Sequence, residues 1–74
     1  MSTAYILLNV DPGNEEDVLK AVKDVAKVRE AHRIYGIYDT IVKVEGDSEE
    51  VKKSVMLIRG LQHIKSTLTL TVID

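Results

Sequence analysis

A chain of 74 residues has room for one small domain, and a domain of that size buries only about 60% of the surface its unfolded form exposes, so a lone copy is marginally stable. Twelve acidic against ten basic residues, a net charge of −2, three Tyr and neither Phe nor Trp exclude the concentrated basic face of a nucleic-acid reader and the stacking platform of a single-strand binder. The absence of cysteine excludes disulfide staples, zinc ribbons and thiol nucleophiles, and makes self-association the natural source of extra stability.

No apolar run approaches the roughly 20 residues that cross a bilayer. The opening MSTAYILLNV lacks the basic region and long apolar core of a secretory signal. A cytoplasmic location is expected.

In chain order, TAYILLNV (3–10) reads as a buried strand. The cluster DPGN is a turn, with Asn14 expected to cap the helix that follows and Asp17 suited to its first turn. Val18, Val22, Val25 and Ala26 recur at helical spacing with charges on the other side, predicting a helix of roughly three turns. VREAHRIY (28–35) alternates imperfectly, as an edge strand does, and DTIVKVEG (39–46) sets Thr40, Val42 and Val44 on one face of a strand against Ile41, Lys43 and Glu45. Asp47 or Ser48 starts a second helix, Asp47 with Glu50 making a capping box, with Val51, Val55 and Ile58 on one face, Met56 expected in its packing, and Gly60 as its stop. IKSTLTLTVI (64–73) alternates strictly and is the clearest strand.

The order β-α-β-β-α-β has one usual packed solution, a ferredoxin-like α+β sandwich. Its four-stranded antiparallel sheet has order 4-1-3-2, with both helices on one face. The uncovered face is expected to carry Tyr5, Leu7, Ile41, Thr67, Thr69 and Ile73. The plainer reading is a half-apolar face shielded by its long Lys and Arg neighbours; the reading favoured for so apolar a set is a homodimer packed sheet to sheet.

Strand directions gather three segments at one edge: the NVDPGN turn, the GIYD hairpin (36–39) and the start of the last strand, KST. Together they offer a helix N-terminus, backbone amides, a carboxylate, a phenol and hydroxyls, a set able to hold a zwitterion. Asp39 suits an ammonium, and amides with Thr hydroxyls suit a carboxylate. The two clusters lie on different strands, which leaves open that one ligand draws them from different subunits. Each residue also has a plainer reading. Gly36 serves a turn, Tyr38 covers an edge, Asp39 bonds its own turn, and Thr67 and Thr69 are good strand formers. His32 and His63 stand 31 positions apart in no metal-ligand spacing, and no metal or cofactor is expected.

AYILLNVDPG, GIYDTIVKV and IKSTLTLTVI, in that order over nearly the whole chain, resemble the C-terminal effector (RAM) domain of the Lrp/AsnC transcription regulators. The resemblance implies a ferredoxin-like fold of the dimeric α/β-barrel type, dimers joined by their sheets, and rings of dimers such as octamers or decamers. It further implies amino acids bound between dimers, with Gly36, Tyr38 and Asp39 forming one wall of the pocket and Thr67 and Thr69 contributing from the last strand. The chain begins directly at the first effector strand, so residues 1–74 are expected to be a single stand-alone RAM domain without the helix-turn-helix DNA reader. Such a domain would assemble with itself or with full-length regulators. Family members often carry Pro-Gly where this chain reads LQHIKST, which puts His63 in the loop and alters ligand choice.

Two other functions fit the same architecture. One is a small enzyme with a polar group, Asn9 or His32, aimed into a pocket beneath the helices. The other is a purely structural oligomerisation module.

Overall fold

The computed structural model describes all residues from Met1 to Asp74. Six elements follow one another: β1 (Ser2–Val10), α1 (Glu15–Lys23), β2 (Val28–Arg33), β3 (Thr40–Gly46), α2 (Ser48–Arg59) and β4 (Ile64–Thr71). The strands form one antiparallel-paired sheet of order β2-β3-β1-β4, as the element order predicts. β1 and β3 are central because their alternate residues are apolar. Ala4, Ile6, Leu8 and Val10 of β1 and Thr40, Val42 and Val44 of β3 are buried against Val18 and Val22 of α1 and Val51 and Ile58 of α2. No helix is long and apolar enough to cross a membrane.

α2 starts as its sequence dictates. Asp47 Oδ1 accepts from the Glu50 amide and Glu50 Oε1 accepts from the Asp47 amide, both at 2.9 Å, completing the capping box. α1 starts differently from the expectation. Asn14 makes no side-chain cap; the carboxylate of Glu15 instead accepts from the amide of Gly13, which at φ +92° takes a conformation that suits glycine. Three acidic residues in the first turn, Glu15, Glu16 and Asp17, complement the helix dipole without a cap.

Two expectations about packing are corrected. Met56 is 68% exposed rather than packed beneath α2, because Val51, Ser54 and Ile58 already form the buried stripe. Ser54 is buried because its hydroxyl donates to the carbonyl of Ala26, in the connection that leads to β2. The faces of β4 are also exchanged. Leu7 pairs with Leu68 and Tyr5 with Leu70, whereas Thr67 opposes Leu8 and Thr69 opposes Ile6. Directly opposed residues of an antiparallel pair share a face. Leu68 and Leu70 therefore lie on the open face, Thr67 and Thr69 turn toward the helix side, and Ile73 stands beyond the strand, fully exposed.

Two consequences can be measured. The amide of Asp47 and the ammonium of Lys27, 3.0 Å away, hold the Glu50 carboxyl below its ordinary 4.5. A carboxyl lowered on folding stabilises the native state above its unfolded value and loses that contribution as pH falls through the folded one. The stability gap between wild type and Glu50→Gln should be full at neutral pH and close on acidification below about 4.5, as read by urea melts at stepped pH. The Thr40 hydroxyl is buried with no hydrogen-bond partner. Thr40→Val should leave stability unchanged or raise it by up to about 1 kcal/mol in the same assay, since it removes an unpaired polar group.

Candidate functional site

The upper edge of the sheet is assembled by the end of β1, the β2–β3 hairpin and the start of β4. Asp39 ties two of these together. Its amide donates to the carbonyl of Leu8 at 2.8 Å, its carbonyl accepts from the amide of Ile34 at 2.8 Å, and its Oδ2 accepts from the amide of Val10 at 2.9 Å. A residue read from sequence as a turn carboxylate is thus a clamp between the hairpin and β1. Oδ1 makes no protein hydrogen bond, so a half-buried carboxylate with one oxygen committed stands at the edge. The hairpin tip projects beyond it. Gly36 takes φ +156°, Tyr38 is half-buried, and Tyr35 and Ile37 are exposed, Tyr35 entirely.

The loop before β4 closes the other side. The amide of Asp11 donates to the carbonyl of His63 at 2.9 Å, and His63 Nδ1 lies 3.7 Å from Asp11 Oδ2. His63 has φ +70°, a backbone conformation that glycine takes freely and other residues take at a cost of roughly 1 kcal/mol. The loop therefore keeps a glycine-like path with a histidine in it. A cleft of about 370 Å³ runs from Leu61, Gln62 and His63 to Asp17, Val18 and Ala21 of α1.

Thr67 and Thr69 lie one strand away from the hairpin. Leu8 of β1 separates Thr40 from Thr67, which puts these two roughly 10 Å apart at ordinary strand spacing. Thr69 lines a groove of about 350 Å³ between β4 and α2, with Ala4, Val51, Val55 and Met56 as apolar floor and Lys52 and Arg59 as cations. That groove contains none of Gly36, Tyr38 or Asp39. Within one subunit the expected site residues fall into two groups: Gly36, Tyr38 and Asp39 on the hairpin, and Thr67 and Thr69 on the helix side of β4. Lys52 and Arg59 were not foreseen, since only the placement of α2 beside β4 brings them to the threonines. No local pattern marks them.

The inward polar group expected of an enzyme is not found at Asn9 or His32. Both lie on the open face, opposite Ser66 and Ile41, because the β1 and β2 residues that alternate with them fill the core. Asn9 Nδ2 donates to Ser66 Oγ at 3.1 Å, and His32 is exposed and paired with Glu30 at 3.1 Å. No group of three or more metal-ligating side chains is assembled.

Residues 3–74 match the model of the Lrp/AsnC ligand binding domain. The chain belongs to the Lrp/AsnC family. Solved structures agree. FFRP-DM1 is 36% identical with a TM-score of 0.87, covering 99% of this chain and 100% of that one. The hypothetical protein PHS023 from Pyrococcus horikoshii is also 36% identical, with a TM-score of 0.89 and coverage of 100% and 92%. AsnC of E. coli, at 24% identity and a TM-score of 0.85, shares the fold over 99% of this chain and 51% of its own. No curated protein sequence matches the chain. The Lrp/AsnC ligand-binding domain is a regulatory effector domain rather than a catalytic one.

The strained histidine is open to test. His63→Gly should raise the unfolding free energy by about 1 kcal/mol, because glycine takes the same φ without the side-chain clash and the exposed His63–Asp11 contact contributes little. Equilibrium unfolding in urea reads the change.

Proposed function

We propose that residues 1–74 act as one amino-acid-binding, self-assembling domain in transcriptional regulation of amino-acid metabolism, without catalysis. The ligand is held between subunits. Gly36, Tyr38 and Asp39 of one copy meet its ammonium, and Thr67 and Thr69 of another meet its carboxylate. Assembly proceeds through sheet-to-sheet dimers and rings of dimers, with itself or with full-length regulators of the family.

The observation that carries this reading is Asp39, whose Oδ2 is locked by the Val10 amide while Oδ1 makes no protein hydrogen bond. A carboxylate so clamped is oriented before any ligand arrives, and the threonines lie across β1 from it. A site split in this way favours an oligomer as the working unit. The open face supports the same conclusion. Tyr5, Leu7, Ile41, Leu68 and Leu70 lie together on it by register, and the two β4 leucines remain 40% and 49% exposed. With less than half of each leucine still exposed, covering it with a second sheet contributes on the order of 1 kcal/mol apiece.

Thermal unfolding against each of the twenty amino acids at millimolar concentration tests the ligand half. A ligand at about 100 times its dissociation constant adds roughly 2.7 kcal/mol, a shift of about 10 °C or more for a chain this short. Asp39→Asn keeps an oxygen for the Val10 amide and removes the charge, so it should retain the unliganded melting temperature and lose the ligand shift. Asp39→Ala should also lower the unliganded melting temperature, since it strips the clamp. A panel in which no amino acid moves the wild-type transition, or a full shift in Asp39→Asn, overturns the reading.

A further inference from the structure

The two edges of the sheet are unlike. β2 carries Arg29, Glu30, His32 and Arg33 among its six residues, and its ladder with β3 is irregular between Val28 and Glu30. Charges and bulges of this kind keep an edge from accepting a foreign strand. β4 has both of its own near its start: Lys65, and a register shift opposite Asn9 and Val10. From Thr67 to its end at Thr71, and on through Val72 and Ile73, the chain is regular in sequence, with no charge, proline or glycine. The amide of Val72 donates to the carbonyl of Thr3 at 2.9 Å. Hydrogen-bonded pairs alternate along an antiparallel ladder, so Leu70 and Leu68 also turn their backbone groups toward β1. Thr67, Thr69 and Thr71 present N–H and C=O outward along an undefended edge.

We propose that this edge takes β4 of a second copy, antiparallel, about a two-fold axis through Leu70, joining two four-stranded sheets into one. The axis stands normal to the sheet, so opposed residues share a face. Leu70 then meets Leu70 of the second copy, Leu68 meets Val72, Thr69 meets Thr71, Thr67 meets Ile73 and Ser66 meets Asp74. Apolar residues pair with apolar ones on the open face, and the outward backbone groups of Thr69 and Thr71 satisfy one another. Neighbouring registers are worse. Moving the axis to Thr69 sets Lys65 against Ile73, and moving it to Thr71 sets Asp74 against Leu68. The Leu70 register also brings Asp74, three residues past the end of each strand, near Lys65 at the basic start of the other. On the open face Leu7 and Leu68 are continued by Val72 of the second copy, and Tyr5 and Leu70 by its Leu70. The contact uses the edge of the sheet rather than its face, so it goes beyond the ligand reading and stands whether or not an amino acid binds.

Single cysteines test it, because the chain has none of its own. Leu70 would face itself across a non-hydrogen-bonded pair about 4.5 Å apart at Cα, within disulfide range. Leu70→Cys should convert to a covalent dimer under mild oxidation, while Thr67→Cys should not. Thr71→Pro removes an outward N–H without breaking the ladder to β1, and should drop one stage of assembly in sedimentation with its circular dichroism unchanged. In the wild type, the amides of Thr69 and Thr71 should exchange more than about tenfold slower when assembled than when dilute. Packing face to face alone leaves those amides unpaired. Two results each overturn the proposal: Leu70→Cys that stays reduced or cross-links no better than Thr67→Cys, or edge amides exchanging at one rate in both states.

Discussion

Strand β1 is the constraint on which the rest of the structure depends. It is hydrogen-bonded on both sides, to β3 and to β4, and every second residue from Ala4 to Val10 is buried in the core. A strand with that face committed to the helices has no freedom of register, since a slip of one residue would move its whole apolar set into water. The parity of β1 then dictates the parity of its neighbours. Leu7 and Tyr5 must face away from the helices, and the β4 residues paired with them, Leu68 and Leu70, must follow. The open face owes its apolar character to this one strand.

An apolar face on a small chain with no disulfide is a physical liability in isolation and an asset in an assembly. The core is modest: eleven buried apolar residues carry the fold of 74. Covering the second face of the sheet adds burial that the chain cannot obtain alone. The same logic extends to the proposed site. Asp39 and the β4 threonines sit on opposite sides of β1, so a second subunit would have to bring together what one subunit holds apart. In the assembly proposed above, stability and ligand recognition would draw on the same contacts between copies, and a ligand would then bias assembly.

The two βα halves of the molecule use the same solution at their connections. Each helix is followed by a residue in the left-handed region immediately before the next strand, Lys27 ahead of Val28 and His63 ahead of Ile64. Lys27 also bonds Glu50 at the start of α2, and Ser54 of α2 bonds the carbonyl of Ala26, so the first connection is held down by the second helix. The second connection is held by the residue just past β1, through the bond from the Asp11 amide to the His63 carbonyl. Tight αβ connections of this kind keep the strand ends, and with them the upper edge, in place.

Much of this was legible in the chain. The order of elements, the central position of β1 and β3, the capping box of Asp47 and Glu50 and the core faces of β1 and β3 all follow from local periodicity and cap chemistry, which act over a few residues. The hairpin of Gly36, Tyr38 and Asp39 was legible as a turn; its role as one wall of a pocket is what the resemblance implies and is part of the proposed function. What local pattern could not decide was the face of β4, because strict alternation of Leu and Thr is equally good with either set inward, and only its register against β1 selects one. The clamp from Asp39 to the Val10 amide, the groove that joins Thr69 to Lys52 and Arg59, and the outward turn of Asn9 and His32 depend likewise on contacts between residues far apart in sequence. The chain by itself determined which segments are strands and helices and in what order they pack. The tertiary structure alone decided which side chains share a surface, because that is a property of register between strands and not of any strand taken singly.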